Sequence, residues 1–333
     1  MEGSMTDIII QPGAARSIVL PRRANRHQVA VLSQPGALPI GQAIAGRLSA
    51  PLRLLPDGEA AKTLAVVEGI YEWLADLRLG RADTLVAVGG GTLTDAAGFV
   101  AATWLRGIEV VYVPTTLLAA VDAAIGGKTG VNLRGKNLVG AFWPAALVVI
   151  DTQVLAALPE SLIREGMAEV VKAGLIADPG LVDLIAQQGL RAPLPEVIQR
   201  AVAVKQAVVA EDPIETGRRM ILNYGHTLGH AVEKTAGITH GQAVAIGMVA
   251  AGAVSAAKLG FPDQARQVAI IEGLGLPTTS PPVERSVVKE LLSLDKKADG
   301  PHLRMVLLRT IGEPVVMEVD DLDVDTGLAA VGL

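Results

Sequence analysis

The first half of the chain alternates short, fully apolar runs with stretches of helical periodicity. A helix is predicted at 40–48. An amphipathic helix is predicted at 60–79, because apolar residues recur there every three or four positions. Buried strands separated by helices are typical of a parallel sheet that is covered on both faces. The apolar runs that predict strands lie at 7–10, 17–20, 28–32, 52–55, 84–88, 109–113 and 147–150.

After residue 151 the pattern becomes mostly helical. Prolines at several positions mark the breaks between the helices, and a pair of strands is predicted near the end, at 303–308 and 315–319. The change of pattern predicts an α/β domain over 1–151 and a mostly α-helical domain over 152–333. The predicted helices lie at 163–175, 181–188, 194–209, 218–235, 242–259 and 264–274.

Composition excludes several classes of protein. The 333 residues contain no cysteine, which rules out disulfides, thiolate metal sites and cysteine nucleophiles. The net charge of −5 argues against nucleic acid as a partner. Mean hydropathy is high, at +0.42. However, the longest apolar stretch, 243–257, falls short of the roughly 20 residues that a membrane span needs. We therefore expect a buried core helix there and no membrane association. The first ten residues contain no basic n-region, so we expect no signal peptide and a cytoplasmic location.

A run of three glycines follows the predicted strand 84–88. Gly89, Gly90 and Gly91 precede a helical pattern, so that a backbone without Cβ atoms would lead into a helix N-terminus. Such a turn suits the pyrophosphate of a dinucleotide. The G-x-G-x-x-G spacing is absent, so an ordinary tight turn is the alternative interpretation.

A second polar region follows the predicted strand 109–113. Thr115 and Thr116 come directly after this strand, at the end where ligands bind in open α/β sheets. Further along, Lys128 and Lys136 each lie beside glycine. These residues predict a backbone-lined site for an anionic ligand, and two solvated surface lysines are the alternative.

Three of the five histidines lie close together in the second half. His226 and His230 are four residues apart and share a helix face, and His240 follows shortly after. Two imidazoles on one face form half of many metal sites, although Thr227 excludes the zinc-protease pattern. The alternative is a pair of core histidines with hydrogen-bond partners.

Glu169 and Lys172 form a further candidate pair, one helical turn apart. The glutamate could ligate a metal. The alternative is an ion pair on a solvated helix face.

Taken together, these motifs resemble the 3-dehydroquinate synthase family of the sugar phosphate cyclase superfamily. The resemblance runs from about residue 57 to residue 312. The residues that carry it are Gly58, Glu59, Lys62, Gly89, Gly90, Gly91, Asp95, Leu105, Arg106, Gly107, Pro114, Thr115, Thr116, Asp122, Gly126, Gly127, Lys128, Gly135, Lys136, Asn137, Glu169, Lys172, Lys205, Gly217, Arg219, Asn223, His226, His230, His240, Gly241, Asp295 and Lys297.

The resemblance implies an N-terminal Rossmann-like NAD-binding α/β domain and a helical C-terminal domain that binds metal and substrate. It implies a phosphate-eliminating lyase of the shikimate pathway, which supplies aromatic amino acid biosynthesis. Such an enzyme converts 3-deoxy-D-arabino-heptulosonate 7-phosphate to 3-dehydroquinate and phosphate. The implied cofactors are NAD and one divalent metal, with zinc favoured and cobalt as the second choice.

The resemblance also implies individual roles. The metal ligands would be Glu169, His226 and His240. Arg106 would come from the other subunit of a homodimer. The substrate would be held by Lys128, Asn137, Arg219, Asn223, His230, Lys297, Lys172, Lys205 and Asp122. The NAD site would comprise Glu59, Lys62, Gly89, Gly90, Gly91, Asp95, Thr115, Thr116, Lys136 and Thr152.

One departure from the family pattern concerns the metal ligands. Glutamate usually follows the His-Gly pair, and Gln242 stands there in this chain. If that glutamate orients a metal ligand, a neutral amide is expected to weaken the orientation.

The sequence also allows three other interpretations of its function. The first is another cyclase of the superfamily, acting on sedoheptulose 7-phosphate, glucose 6-phosphate or an amino-sugar analogue. The resemblance implies that the sedoheptulose enzymes tend to differ at Asn223 and His230, so the presence of both favours the dehydroquinate reaction. The second is a metal alcohol dehydrogenase similar to glycerol dehydrogenase, which does not need Lys128, Lys205 or Arg219. The third is a non-catalytic NAD-binding protein, which would bury a polar site without use.

Overall fold

The computed structural model describes the backbone of residues 6–299 and 302–333 and, outside 294–299, their side chains. The chain forms two compact units, one ending at Pro159 and the other beginning at Glu160.

The first unit is built on a six-stranded parallel sheet with the strand order β1-β8-β5-β4-β2-β3. Every residue of the strands β4 and β8 is buried, as expected for a sheet covered on both faces. The predicted α/β fold is confirmed. The strands are β1 (Asp7–Gln11), β2 (Val29–Ser33), β3 (Leu52–Leu54), β4 (Thr84–Gly89), β5 (Glu109–Pro114) and β8 (Leu147–Asp151), with a separate antiparallel hairpin of β6 (Lys128–Val131) and β7 (Val139–Phe142).

The helices of this unit differ from the prediction mainly at their ends. The predicted helix 60–79 is shorter, because the Thr63 side chain accepts a hydrogen bond from the Val66 N–H group and caps a helix that begins one residue later. The run 17–20 forms no strand, and the hairpin was not predicted. The helices are α1 (Leu38–Leu48), α2 (Leu64–Asp76), α3 (Gly91–Thr103) and α4 (Thr152–Ala156), joined by the short turns Pro35–Ala37, Gly58–Ala61, Trp104–Arg106 and Ala119–Ala123.

The second unit is mostly helical, as predicted. Its two strands form an antiparallel pair, and the last two helices were not predicted. The elements are α5 (Glu160–Ala177), α6 (Pro179–Gln188), α7 (Leu194–Glu211), α8 (His226–Ala236), α9 (His240–Leu259), α10 (Gln264–Gly273), α11 (Arg285–Asp299), β9 (Leu303–Leu308), β10 (Pro314–Val319) and α12 (Asp321–Ala330), with 3₁₀ turns at Gly189–Arg191 and Arg218–Asn223.

The prediction of one helix over 218–235 was wrong. A 3₁₀ turn ends at Asn223, Gly225 adopts φ +80°, and α8 begins only at His226. A side chain at position 225 would be strained by this φ and would lie 2.8 Å from the backbone nitrogen of Met248. This glycine therefore redirects the chain just before the first histidine of the cluster.

Small residues allow α8 and α9 to pack closely. A Cβ atom added at Gly247 would lie 1.8 Å from the carbonyl oxygen of Gly225, and one added at Gly229 would lie 2.8 Å from the carbonyl oxygen of Ala243. Both contacts are with backbone, which cannot move aside as a flexible side chain can. The close approach places the start of α9 beside α8.

Helix α9 is the element with the composition of a membrane span. Among the described residues it alone is long and apolar enough, yet 72% of its most apolar 18-residue window is buried within the protein. The predicted core helix is confirmed, since burial among other helices accounts for its apolar surface.

Candidate functional site

Predicted residues of the first unit meet at the carboxyl edge of the parallel sheet. Gly89 ends β4, Thr115 follows β5, and Thr152 follows β8. The Thr115 N–H group donates a hydrogen bond of 2.9 Å to the carbonyl oxygen of Gly89. Strands β8, β5 and β4 are neighbours, so these residues line the edge where open α/β sheets bind ligands.

The glycine run forms the strand–turn–helix geometry expected for a pyrophosphate site. A Cβ atom at Gly89 would lie 2.4 Å from the Leu93 side chain, so this glycine is required for packing. Gly90 precedes α3, and its N–H group donates to Gln34 Oε1 at 3.4 Å. The N-terminus of α3, with its positive dipole end, therefore lies directly at the turn.

A hydrogen-bonded network surrounds Lys62, whose side chain is buried. Lys62 Nζ lies 2.6 Å from Asp95 Oδ2 and also contacts the side-chain oxygen of Asn137. Asn132 connects the rest, because it donates to Glu59 Oε2 at 2.6 Å and accepts from the Asn137 N–H group at 2.9 Å. The sequence analysis gave Asn132 no role, although it lies four residues after Lys128, which carries part of the resemblance. The network thus joins residues that the resemblance had divided between NAD and substrate.

The remaining predicted residues of this unit lie in neighbouring loops and turns. Lys136 Nζ lies 3.9 Å from Glu59 Oε1 in an exposed ion pair. Thr116 Oγ1 accepts a hydrogen bond from the Ala119 N–H group at 3.2 Å, at the start of the turn that carries Asp122. Lys128 is exposed at the start of β6.

Arg106 lies in a turn of unusual backbone conformation. Leu105, Arg106 and Gly107 all have positive φ. A Cβ atom at Gly107 would lie 2.3 Å from the Trp143 ring, so the indole fixes this turn against the rest of the unit. The Arg106 side chain is exposed to solvent.

In the second unit, Glu169, His226 and His240 come together as the carboxylate–imidazole cluster. Glu169 Oε1 lies 3.6 Å from His226 Nε2 and 3.4 Å from His240 Nε2. One potential ligand atom from each residue lies within 4.8 Å of the others. His230 falls into a second group with Glu233 and His240. The spacing of His226 and His230 along α8 thus did not identify the pair of histidines that faces Glu169.

The burial and the negative charge of Glu169 suit this cluster to bind a cation. Only 2% of the Glu169 side chain is exposed, and its Oε1 atom accepts no hydrogen bond of good geometry from the described residues. Burial alone would raise the pKa of Glu169, but the charge of Lys172 and the two imidazoles hold it well below its usual range. A buried carboxylate that faces two imidazole nitrogens fits a divalent metal.

The two histidines differ in their electrostatics. Burial, reinforced by Lys172, holds the pKa of His226 well below its usual value and so favours the neutral ring. Burial would also lower the pKa of His240, but the carboxylates of Glu169 and Glu233 raise it to about 10. A divalent cation bound at Glu169 would take the place of the proton on His240.

Lys172 is part of the same buried arrangement. Its Nζ contacts Glu169 Oε2, and only 4% of the lysine side chain is exposed. The alternative of an ion pair on a solvated face is therefore wrong. Because a buried lysine needs a negative partner, Lys172 and Glu169 depend on each other.

Arg219 is held by a loop that sequence reasoning did not identify. Asp212 accepts hydrogen bonds from the backbone N–H groups of Arg219, Thr216 and Gly217, which lower the pKa of Asp212 to about 2. The Arg219 side chain is buried, and its Nη1 donates to the carbonyl oxygen of Pro213 at 2.5 Å. Asp212 thus fixes the backbone of the predicted phosphate-binding arginine.

The other predicted substrate residues of this unit lie on three different elements. Asn223, at the end of its 3₁₀ turn, donates to Glu215 Oε1 at 3.1 Å. Lys205 is buried on α7, and His230 is exposed on α8. Lys297 lies outside the residues whose side chains the structure describes.

The side chain of Gln242 caps the helix that begins at His240. Its Oε1 atom accepts a hydrogen bond from the Thr239 N–H group at 3.2 Å, in a capping box at the start of α9. An amide oxygen and a carboxylate oxygen can both accept this bond. The expectation that Gln242 weakens the orientation of a metal ligand stays a prediction, because this bond joins the side chain to the Thr239 backbone beside His240.

Two family models match adjoining parts of the chain. The N-terminal model of 3-dehydroquinate synthase matches residues 53–165, and the C-terminal model matches residues 166–298. A 3-dehydroquinate synthase from Mycolicibacterium vanbaalenii is 46% identical over 312 residues, which cover 89% of this chain and 87% of that protein.

Solved structures of sugar phosphate cyclases share the fold. A 2-deoxy-scyllo-inosose synthase complexed with carbaglucose-6-phosphate, NAD+ and Co2+ is 30% identical, with a TM-score of 0.85 over 97% of this chain and 96% of that one. A 2-epi-5-epi-valiolone synthase from Streptomyces hygroscopicus subsp. jinggangensis, with NAD+ and Zn2+ bound, is 28% identical, with a TM-score of 0.88 over 99% and 98%. Sequence, fold and clustered polar residues agree, and the chain belongs to the 3-dehydroquinate synthase family.

Proposed function

We propose that this chain converts 3-deoxy-D-arabino-heptulosonate 7-phosphate to 3-dehydroquinate and phosphate, as a lyase of the shikimate pathway. The observation that carries the proposal is the buried carboxylate–imidazole cluster, with Lys172 against it, in a chain 46% identical to a 3-dehydroquinate synthase. We place the enzyme in the cytoplasm, with neither nucleic acid nor membrane as a partner.

In this proposal Glu169, His226 and His240 hold one divalent metal, Zn2+ or Co2+. Three protein ligands leave further positions open, which is typical of a catalytic site. When bound, the metal acts as a Lewis acid on the substrate hydroxyl that is oxidised. Glu169 would supply the single negative charge of the ligand set, and the lowered pKa of His226 favours the neutral ring, which can donate a lone pair.

NAD is proposed to lie at the carboxyl edge of the sheet, where it would supply the reversible hydride transfer that the reaction needs. The N-terminus of α3 would face its pyrophosphate. The Lys62 network would position the rest of the dinucleotide through hydrogen bonds and charge. The residues assigned to this site are Glu59, Lys62, Gly89, Gly90, Gly91, Asp95, Thr115, Thr116, Lys136 and Thr152.

The substrate carries a phosphate and a carboxylate, so its site needs cations and hydrogen-bond donors. Asn137 can donate through Nδ2, because its oxygen already faces Lys62. Lys172 and Lys205 would neutralise the carboxylate or position the hydroxyls, with Asp122 as a polar orienter. The residues assigned to the phosphate are Lys128, Asn137, Arg219, Asn223, His230 and Lys297.

These residues would determine how the elimination proceeds. Oxidation of the secondary alcohol makes the neighbouring C–H bond acidic, and we propose that an oxygen of the substrate phosphate removes this proton. The cations around the phosphate stabilise the charge that develops as its C–O bond breaks. After the ketone is reduced, the released enol pyranose opens and closes to the carbocycle.

A phosphate-release screen tests the assignment. With metal and NAD supplied, the purified protein is expected to release phosphate from the heptulosonate phosphate, while sedoheptulose 7-phosphate and glucose 6-phosphate remain unreacted. Turnover of either of these sugars without release from the heptulosonate would instead identify another cyclase activity. Oxidation of simple polyols without phosphate release would identify a metal alcohol dehydrogenase.

We also propose a homodimer in which Arg106 completes the substrate site of the partner subunit. The exposed guanidinium on a fixed turn supports this role. Mixing Arg106→Ala with His240→Ala protein should restore activity, because a mixed dimer then contains one intact site. Random exchange of subunits in equal amounts would give about a quarter of the wild-type rate. If Arg106 acts within its own subunit, the mixture stays as inactive as its components.

A further inference from the structure

The second ring nitrogen of His240 faces a carboxylate that the proposed reaction does not use. His240 Nδ1 lies 3.4 Å from Glu233 Oε2, while its Nε2 lies 3.4 Å from Glu169 Oε1. We infer that Glu233 is a positioning residue, which accepts a hydrogen bond from the Nδ1–H group of His240 and so orients Nε2 towards the metal. This inference rests on the metal centre proposed above.

The fold places Glu233 where such a role requires it. His226, His230 and Glu233 occupy positions i, i+4 and i+7 of α8 and therefore share one face of the helix. His240 is the first residue of α9, which packs closely on α8. Only 9% of the Glu233 side chain is exposed, so its contact with His240 is largely shielded from solvent.

The two metal-facing histidines have acceptors of different kinds. His226 Nδ1 lies 3.2 Å from the carbonyl oxygen of Tyr224, a neutral backbone group. His240 instead faces a charged carboxylate. Hydrogen bonding at Nδ1 fixes the tautomer in which Nε2 carries the lone pair, and a carboxylate acceptor also makes the imidazole a stronger donor. Of the two acceptors, only Glu233 can be removed by substitution.

Neighbouring acidic and amide side chains bind the start of α9 rather than the His240 ring. Glu165 Oε1 accepts from the Gly241 N–H group at 2.8 Å, and Glu165 Oε2 lies 2.5 Å from Thr239 Oγ1. Gln242 caps the same helix through the Thr239 N–H group. These groups hold the start of α9 in place. Glu233 would then fix the rotation of the His240 ring.

The experiment measures Zn2+ affinity by competition with a chelator, on full-length protein without sugar phosphate. Glu233→Ala is expected to weaken Zn2+ binding by about 10- to 100-fold, the usual effect of removing such an acceptor. Glu233→Gln keeps an acceptor oxygen without the charge and should fall between Glu233→Ala and wild type. Visible spectra of the Co2+-loaded variants should shift as well, because a changed His240 donor alters the ligand field of the Co2+ ion.

Glu165→Gln provides the matched control. It alters an acidic residue that contacts the start of α9 but not the His240 ring, so Zn2+ affinity and the Co2+ spectrum should stay close to wild type. An equal loss in Glu165→Gln would assign the effect to the helix start and overturn the inference.

Two further results would also overturn it. One is unchanged Zn2+ affinity and an unchanged Co2+ spectrum in folded Glu233→Ala or Glu233→Gln protein. The other is a wild-type stoichiometry of two Zn2+ ions that falls to one in Glu233→Ala, which would make Glu233, with His230 and His240, a ligand of a second metal. Because these measurements need no turnover, they stand apart from a failure of the phosphate-release screen.

Discussion

Replacement of His240 by alanine is expected to abolish metal binding and to reduce phosphate release at least about 10³-fold, while the protein remains folded. A metal contributes several kcal/mol to stabilising charge in a transition state, and each 1.36 kcal/mol is a factor of about ten. The side chain is 30% exposed, so its removal leaves the core of the unit intact. Metal content after dialysis and the rate of phosphate release measure the two losses.

His302→Ala is the control, because His302 is an exposed histidine of the same unit that has no place in the cluster. This variant should keep metal and activity. Circular dichroism should show native helix content in both proteins. Full metal stoichiometry in folded His240→Ala protein would assign the ligand to another residue.

Replacement of Gly247 by alanine is expected to have two effects: it destabilises the second unit and it disturbs the metal site of that unit. The added Cβ atom would lie 1.8 Å from the carbonyl oxygen of Gly225, so α8 and α9 must separate. Overpacking of this kind costs about 1–3 kcal/mol. Separation also moves the beginning of α9, with His240, away from His226. Chemical denaturation and Zn2+ competition measure both effects.

Gly273→Ala is the matched control for this glycine. It also lies in a helix, but an added Cβ atom would meet no other atom within 4 Å. Alanine is the better helix former there, so stability should be unchanged or slightly higher. Native stability of Gly247→Ala protein would mean that the two helices are not held together by this contact.

The sheet was predictable because its strands are fully buried and apolar, and such runs stand out without any tertiary information. The hairpin of β6 and β7 was not predicted, because its glycines and polar residues carry no hydrophobic alternation. The break at Gly225 was missed for a different reason. The pattern on both sides is helical, and neither the positive φ of Gly225 nor its close contact with α9 leaves a mark in the hydrophobic pattern.

The residues of the candidate site also fall into two groups, those that the sequence could identify and those that it could not. Glu169, His226 and His240 could be named from the motifs that resemble the family. Asn132, Asp212 and Glu233 could not, because each acts through a neighbour that is distant in sequence or in a different element. The signal for Glu233 was present in its spacing from His226, but an acidic residue on a helix is common.

The positions of His226 and His240 within their helices carry one more consequence. Each is the first residue of its helix, α8 or α9, so the positive ends of two backbone dipoles lie at the cluster. Each dipole favours a negative charge beside it by about 0.3–1 kcal/mol, and more in a partly buried site. An alcohol oxygen held there would be easier to deprotonate. The N-termini of α8 and α9 would then contribute to stabilising an alkoxide at the cluster.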